Sequence, residues 1–224
     1  YSRKEQSILS AFIDFIAERG YVWSDGIVNS HDYGVPQNRM RYLLVATRLS
    51  NTISLPSPES GSGKDVASFI GVANGFTEIA AGHKDSSDFL HSAAALSATN
   101  LKRIAATPKS GGSRMAWRNN QQLQIEAYRG RDEIFRDVYS RMYWEKPAPT
   151  ITTRFNSYSN GRFGHPAEDR AISLREGATL QTFPKDFKFF GSNQSSIARQ
   201  IGNAVPPELA RRIGNFLKAL SNNG

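Results

Sequence analysis

Arg199-Gln200-Ile201-Gly202-Asn203-Ala204-Val205-Pro206-Pro207 is the stretch on which the reading of this chain turns. It lies between two helical patterns. Gly202-Asn203 reads as a turn at which backbone can approach a ligand closely, and the proline pair opens the next helix. Leu209, Ile213, Phe216, Leu217 and Leu220 then share one face of that helix. Taken alone, the stretch is better read as a plain helix–helix connector, so its meaning depends on the rest of the chain.

Just upstream, Ser173-Leu174-Arg175-Glu176 has the capping-box spacing, Ser at the N-cap and Glu three residues on, and opens a helix through Leu180. At the other end of the chain, Ile8, Leu9, Phe12, Ile13 and Ile16 recur at helical spacing, and Gly20 stops the helix. A short strand, Tyr21-Val22-Trp23, follows. Arg41 to Thr47 has the near-continuous apolar character of a strand covered on both faces. Helix, strand and strand in this order suit the last part of an α/β sheet. Composition changes after about Ser50: residues 51–65 are rich in Ser, Pro and Gly and read as a linker. An irregular region from Val66 to Phe163 follows, with short helices expected at Val66–Ala73 and Ser97–Ala105.

With 224 residues the chain can build one large domain or two small ones, and 39% hydrophobic with 21% charged residues is the composition of a folded protein. Lys+Arg 28 against Asp+Glu 20 gives a net charge of +8, which fits a polyanionic partner. Five cations, Lys102, Arg103, Lys109, Arg114 and Arg118, surround Ser110-Gly111-Gly112-Ser113 with no acid among them. That pattern reads as a flexible basic loop suited to phosphate. Cysteine is absent, which excludes disulfides, thiolate metal sites and a cysteine nucleophile from these residues. The four histidines, His31, His83, His91 and His165, have no metal-ligand spacing, so no metal is expected. No apolar run approaches the roughly 20 residues that span a bilayer, and Ser2-Arg3-Lys4-Glu5-Gln6 does not open a signal peptide. The first residue is Tyr rather than Met, which suggests a piece of something longer.

Gln37, Arg39 and Arg41 alternate as the chain enters its second strand, so they are expected to project to one side as an amide and two guanidiniums. Such an array can hold phosphate oxygens or a base carbonyl, or it can be an ion-pair cluster at a sheet edge. Gly34-Val35-Pro36 before it fixes a turn that would aim the array.

Together these stretches resemble the DNA (cytosine-5) methyltransferase family. Tyr33-Gly34-Val35-Pro36-Gln37-Asn38-Arg39-Met40-Arg41 resembles its Gln-x-Arg-x-Arg block. Pro149-Thr150-Ile151-Thr152 resembles the threonine element that closes its target-recognition region. Arg170 through Phe183-Pro184 resembles its penultimate block, and Arg199 to Pro207 its last. The resemblance implies an enzyme that flips cytosine out of duplex DNA. A thiolate adds to ring position 6, a glutamate engages the ring nitrogen, and position 5 receives a methyl group from S-adenosylmethionine. By similarity, Arg41 contacts the flipped base's carbonyl oxygen, with Arg39 and Gln37 in support. Thr150 touches the DNA backbone, Asn203, Ala204 and Val205 lie against the methyl donor, and Arg170, Arg175 and Glu176 are structural. The family's Pro-Cys dipeptide, Gly-rich cofactor loop and Glu-Asn-Val segment are absent here. The chain alone is therefore expected to be inactive. It would be a fragment, the C-terminal subunit of a split enzyme or a truncated gene product, and the missing Met favours the first.

The fold expected from the resemblance is α/β. Residues 1–50 and 191–224 would form the C-terminal part of a Rossmann-like S-adenosylmethionine-dependent methyltransferase domain. Residues 51–190 would form a small, irregular α+β target-recognition domain with a hinge. Double-stranded DNA and the missing N-terminal catalytic region are the expected partners, with no membrane and no metal. The expected setting is bacterial restriction-modification, in the cytoplasm on the nucleoid. The rival readings are a non-catalytic sequence-specific DNA-binding module and a piece of an RNA cytosine methyltransferase. About 110 residues between the two blocks that flank the recognition region favour DNA over RNA.

Overall fold

Side-chain oxygens set where the helices begin. In the computed structural model, which describes residues 7–58 and 64–222, Ser7 caps α1 (Ile8–Ala17) by accepting the Ser10 N–H at 3.1 Å. Ser97 caps α2 (Ala98–Ala105) through Asn100 N–H at 3.2 Å. Ser173 and Glu176 close the full capping box on α3 (Leu174–Leu180), at 3.1 and 2.7 Å. Asn193 caps α4 (Gln194–Asn203) through Ser196 N–H at 2.9 Å. α5 (Pro207–Asn222) starts on a proline, and its Glu208 N–H is met by Thr182 Oγ1 at 3.0 Å. Thr182 holds φ +66, a left-handed value that a β-branched residue rarely adopts.

β1 (Val22–Asn29) and β2 (Met40–Thr47) form an antiparallel pair, in register from Val22 opposite Thr47 to Asn29 opposite Met40. A 3-10 turn, Ser30–Tyr33, leads out of β1. On one face of the pair, Val28 and Leu43 pack with Tyr33, Val35 and Leu55 against Leu209 and Ile213 of α5. The other face leaves Trp23, Ile27, Met40 and Tyr42 exposed, Ile27 at 70%. The expectation that the second strand is covered on both faces therefore fails among the described residues. β1 is also longer than the expected Tyr21–Trp23, because pairing with β2 carries it to Asn29.

A larger core joins the irregular region to α3 and α4. Ile70, Phe76, Met142, Ile151, Phe155 and Phe163 pack with Leu174, Ala178 and Leu180 of α3 and with Ile197, Ala198 and Ile201 of α4. Val66–Ala73 does not form the expected α-helix. It ends in a 3-10 turn, Val72–Asn74, because Gly71 sits at φ +90 with the Trp144 ring 2.9 Å from where a Cβ would stand. α2 matches its expected span. Part of the expected linker, residues 59–63, lies outside the described residues, as do the first six residues with the stretch Ser2–Gln6.

α3 is locked to the irregular region by a buried charge cluster. Arg170, fully buried, donates two hydrogen bonds to Glu176 (2.7 and 2.8 Å) and two to Glu168 (both 2.9 Å). His165 Nδ1 accepts backbone N–H groups from Ala167 (3.3 Å) and Glu168 (2.9 Å), so its neutral form carries the proton on Nε2, facing both carboxylates. His165, Glu168 and Glu176 stand close enough to hold a cation, but the Arg170 guanidinium already takes up the carboxylate oxygens. Arg175 makes a second tie, to Asp88 and to the Phe187 carbonyl.

Burial, only partly offset by Glu176, pulls the His165 pKa from 6.5 down to about 4. Burial would raise Glu176, but the Arg170 hydrogen bonds and charge override it and hold the carboxyl at about 2. Both folded-state values lie below the unfolded ones, so the unfolded chain binds more protons and stability is lost as pH falls. Urea denaturation should show stability falling from about pH 6.5 towards pH 4 as His165 is titrated, and further below pH 4.5 as Glu176 is. His165→Gln should flatten the upper part of that slope; an equally steep profile in the variant would remove His165 from the account.

A braced turn as the candidate functional site

Gln37 and Arg39 lie before β2, and only Arg41 is on the strand. The three therefore do not form the exposed array that their alternation suggested. Gln37 is fully buried and Arg39 is 3% exposed, whereas Arg41 is exposed with Nη1 on the Met40 carbonyl at 2.6 Å. Gln37 takes the Ile151 N–H on its Oε1 at 3.0 Å and donates Nε2 to Gln181 Oε1 at 2.8 Å. Gln181 in turn donates to the Ile201 carbonyl at 2.7 Å. Backbone bonds between Ala148 and Pro36 and between Asn38 and Ala148, both 2.9 Å, zip the two segments together.

Arg39 reaches further. Its Nη1 donates to the Ile151 carbonyl at 2.9 Å, and its Nη2 to the carbonyls of Gly202 at 2.8 Å and Ala204 at 3.2 Å. Burial, and behind it the charge of Arg41, lowers the Arg39 pKa to about 10, which leaves it charged at neutral pH. One guanidinium thus ties the threonine element to the end of α4.

The turn after α4 differs from its sequence reading. Gly202 and Asn203 are the last residues of the helix, and the chain bends at Ala204 to Pro206. A Cβ on Gly202 would lie 2.4 Å from the backbone of Thr152 and 2.5 Å from that of Thr153. The glycine admits the chain's own backbone, and no ligand is needed to explain it. Beyond it, Asn203 is exposed, Ala204 half-buried and Val205 62% exposed. Thr150 hydrogen-bonds the Asn38 carbonyl at 2.7 Å and is half-buried. Thr152 and Arg154 are exposed on the same element. Sequence reasoning missed Arg154 because the quoted threonine block stops two residues short of it.

The basic loop is mostly accounted for internally. Lys109 pairs with Asp169 at 2.6 Å. Arg114 is buried, donating to the carbonyls of Arg131 and Ile134 at 2.9 Å, with Asp132 at 3.7 Å. Arg103 donates to the carbonyls of Leu123 (2.8 Å) and Gln124 (3.1 Å). Ser110 bonds Glu145, and Gly111 lies under the Tyr143 ring, so Ser110–Ser113 is packed rather than solvated. The acids that neutralise this loop come from Asp132 and Asp169, outside the window in which it reads as uncompensated. Lys102 and Arg118 remain exposed.

A family model, C-5 cytosine-specific DNA methylase, matches residues 1–219. The chain belongs to that family. Type II methylase M.HgiDII of Herpetosiphon aurantiacus is 40% identical over 218 residues, which cover 94% of this chain and 59% of that protein. Type II methyltransferase M1.BsuMI of Bacillus subtilis is 28% identical, over 89% of this chain and 44% of its own length. The chain thus spans about half the length of these relatives. Among solved structures, a prophage-encoded DNA modification methyltransferase from Escherichia coli aligns over 98% of this chain and 66% of its own, with TM-score 0.67 and 20% identity. The Dnmt2 methyltransferase of S. pombe aligns over 98% and 64%, with TM-score 0.58 and 13% identity. These structures share the methyltransferase fold with the chain.

In a C-5 cytosine-specific DNA methylase the methyl donor is S-adenosylmethionine. What Arg39 does in this member is measurable without it. Arg39→Ala would leave three carbonyls without their donor, at a cost on the order of 3–5 kcal/mol. Arg39→Lys has too compact a head to span both segments and should lose a substantial part of the same energy. Urea unfolding of the two variants checks this; a loss under about 1 kcal/mol for Arg39→Ala would show that the brace carries little.

Proposed function

We propose that the chain is the DNA-reading and turn-supplying part of a DNA cytosine-5 methyltransferase, which transfers a methyl group from S-adenosylmethionine to a flipped cytosine in a specific duplex site. The observation that carries this is the Arg39 brace. It fixes the Thr150–Arg154 element, the Ala204–Pro206 turn and the start of β2 with exposed Arg41 as one unit. Three groups of different chemistry then stand on a single rigid frame. Thr152 and Arg154 offer donors to phosphate. Arg41 offers a guanidinium to a base carbonyl, as a charged hydrogen-bond donor. Asn203 and Val205 offer an exposed amide and an exposed apolar side chain to a donor that itself has polar and apolar parts. That pairing fits S-adenosylmethionine, which when bound supplies an electrophilic methyl group.

The division into lobes follows the packing. Residues up to about 50 and α5 share the smaller core, and the recognition lobe keeps the larger one. The return to the catalytic domain, taken at 191, is supported at its last helix by α5, which packs with β1 and β2 in the smaller core, while α4 packs into the larger one. Without cysteine, these 224 residues cannot supply a thiolate, so the nucleophile belongs to further polypeptide. The exposed sheet face of Trp23, Ile27, Met40 and Tyr42 is apolar surface suited to receive it, and Ile8, Phe12 and Phe15 of α1 are exposed as well.

Co-expression with a polypeptide carrying the family's Pro-Cys and Glu-Asn-Val segments tests the reading. The pair should transfer labelled methyl groups to duplex DNA, while the chain alone should not. A pair that binds duplex without transfer would support a DNA-binding module instead, and transfer to RNA alone would change the substrate. In the active pair, Arg41→Ala should lower turnover by about 10²-fold or more with duplex affinity largely retained. Near-normal turnover would sink the role assigned to Arg41.

A further inference from the structure

Five consecutive residues of the recognition lobe, Arg118-Asn119-Asn120-Gln121-Gln122, are all exposed, and the two that flank them are buried. Trp117 is 5% exposed, with its Nε1 donating to Thr107 Oγ1 at 3.0 Å; Leu123 is 7% exposed. Between these anchors the backbone is fixed by its own bonds. Asn120 N–H donates to the Trp117 carbonyl at 3.0 Å, and the Asn120 carbonyl accepts N–H groups from Leu123 (3.0 Å) and Gln124 (2.9 Å). Asn120 Oδ1 takes the Gln122 N–H at 3.0 Å. The Gln124 side chain donates to the Arg118 carbonyl and closes the turn. Arg103, expected from sequence to grip phosphate, instead holds the far end by bonding the Leu123 and Gln124 carbonyls.

A rigid turn that displays one guanidinium and a run of carboxamides is poorly suited to phosphate. Neutral amides release no counterions, and only Arg118 among the five carries charge. It is well suited to base edges, because Arg matches the two acceptors of guanine in the major groove and Asn or Gln the donor–acceptor pair of adenine. Arg118 is held only loosely, at 4.0 Å from Asp132, in an exposed pair that costs little to break. Asn120 is engaged in the turn itself, which leaves Arg118, Asn119, Gln121 and Gln122 for display.

We infer that the turn Arg118–Gln122 determines sequence specificity, with Arg118 reading a guanine and Gln121 and Gln122 reading adenine in the major groove. This rests on the reading of the chain as a DNA-binding part of a methyltransferase and adds the element that chooses the site. Arg118 then serves base recognition rather than phosphate, and Lys102 on α2 remains for the backbone.

The test is selection by the 224-residue chain from a duplex library with a randomised core, followed by sequencing of the enriched pool. The unmodified chain should enrich a motif with defined guanine and adenine positions. Arg118→Ala should lose the guanine preference at one position and weaken the best duplex by roughly 10- to 100-fold, with scrambled-duplex affinity retained. The double variant Gln121→Ala/Gln122→Ala should lose adenine preference, and Lys102→Ala should weaken all duplexes alike. Variants that enrich the unmodified motif would overturn the inference and leave DNA reading intact. So would an Arg118→Ala that weakens every duplex equally and makes the salt slope shallower by about one, which would assign Arg118 to phosphate. An unmodified chain that enriches no motif would overturn the DNA-reading proposal itself, and this inference with it.

Discussion

The capture of three carbonyls by the Arg39 guanidinium is the interaction on which the site depends. Two of the three, Gly202 and Ala204, lie at the end of α4, where a helix leaves its last carbonyl groups unsatisfied. A common remedy is a glycine in the left-handed conformation just past the helix. Here Arg39 and Gln181 meet those carbonyls from outside, and the positive charge also suits the negative end of the helix dipole. The chain can therefore leave α4 in extended conformation at Ala204, φ −64 and ψ 150, and present Val205 outward. The third carbonyl, that of Ile151, brings the threonine element into the same bond set. Gly202 completes the arrangement by letting the Thr152 backbone close onto the helix.

What could be read from the sequence follows from how local each determinant is. Helix starts at Ser97 and Ser173 were legible because cap and helix are neighbours in the chain. So was α5, whose apolar stripe and Pro207 start are written in consecutive turns. β1 ran six residues past its expected end because its length is set by pairing with β2, a contact between segments. Val66–Ala73 failed as a helix because Gly71 must admit the Trp144 ring, a tertiary demand invisible to periodicity. Gln37 and Arg39 were singled out by motif, but alternation misplaced them. It assumes a strand, and the strand begins only at Met40. The resemblance located the blocks; only the structure shows that Arg39 joins two of them.

Positive charge in this protein has two uses, and composition does not separate them. Arg39, Arg114, Arg141, Arg170 and Arg175 are all buried. Arg141, with no exposure at all, donates to the carbonyls of Ile104, Thr107 and His165. An irregular lobe has many carbonyls with no helix or ladder partner, and each must still be satisfied. Arginine, with five donors in a planar fork, does this better than any other side chain. A basic composition here partly reflects the cost of building a lobe with little regular structure. Net charge therefore points to a polyanionic partner less directly than the exposed cations do.

Cations that the interior does not use lie outside the Lys109–Arg114 loop. Arg41 at the start of β2, Lys102 on α2 and Arg154 beyond the threonine element are exposed cations on elements that buried contacts hold in place. Recognition by such a surface needs little ordering at binding, because the backbone is already fixed by Arg39, Arg103 and Arg170 from within. The buried arginines and the exposed ones are thus two halves of one design, in which interior cations replace secondary structure and so allow loops to be rigid. A loop stiffened in this way can hold a guanidinium or an amide in fixed geometry against a base edge, which a solvated loop of the same composition could do only at an entropic cost.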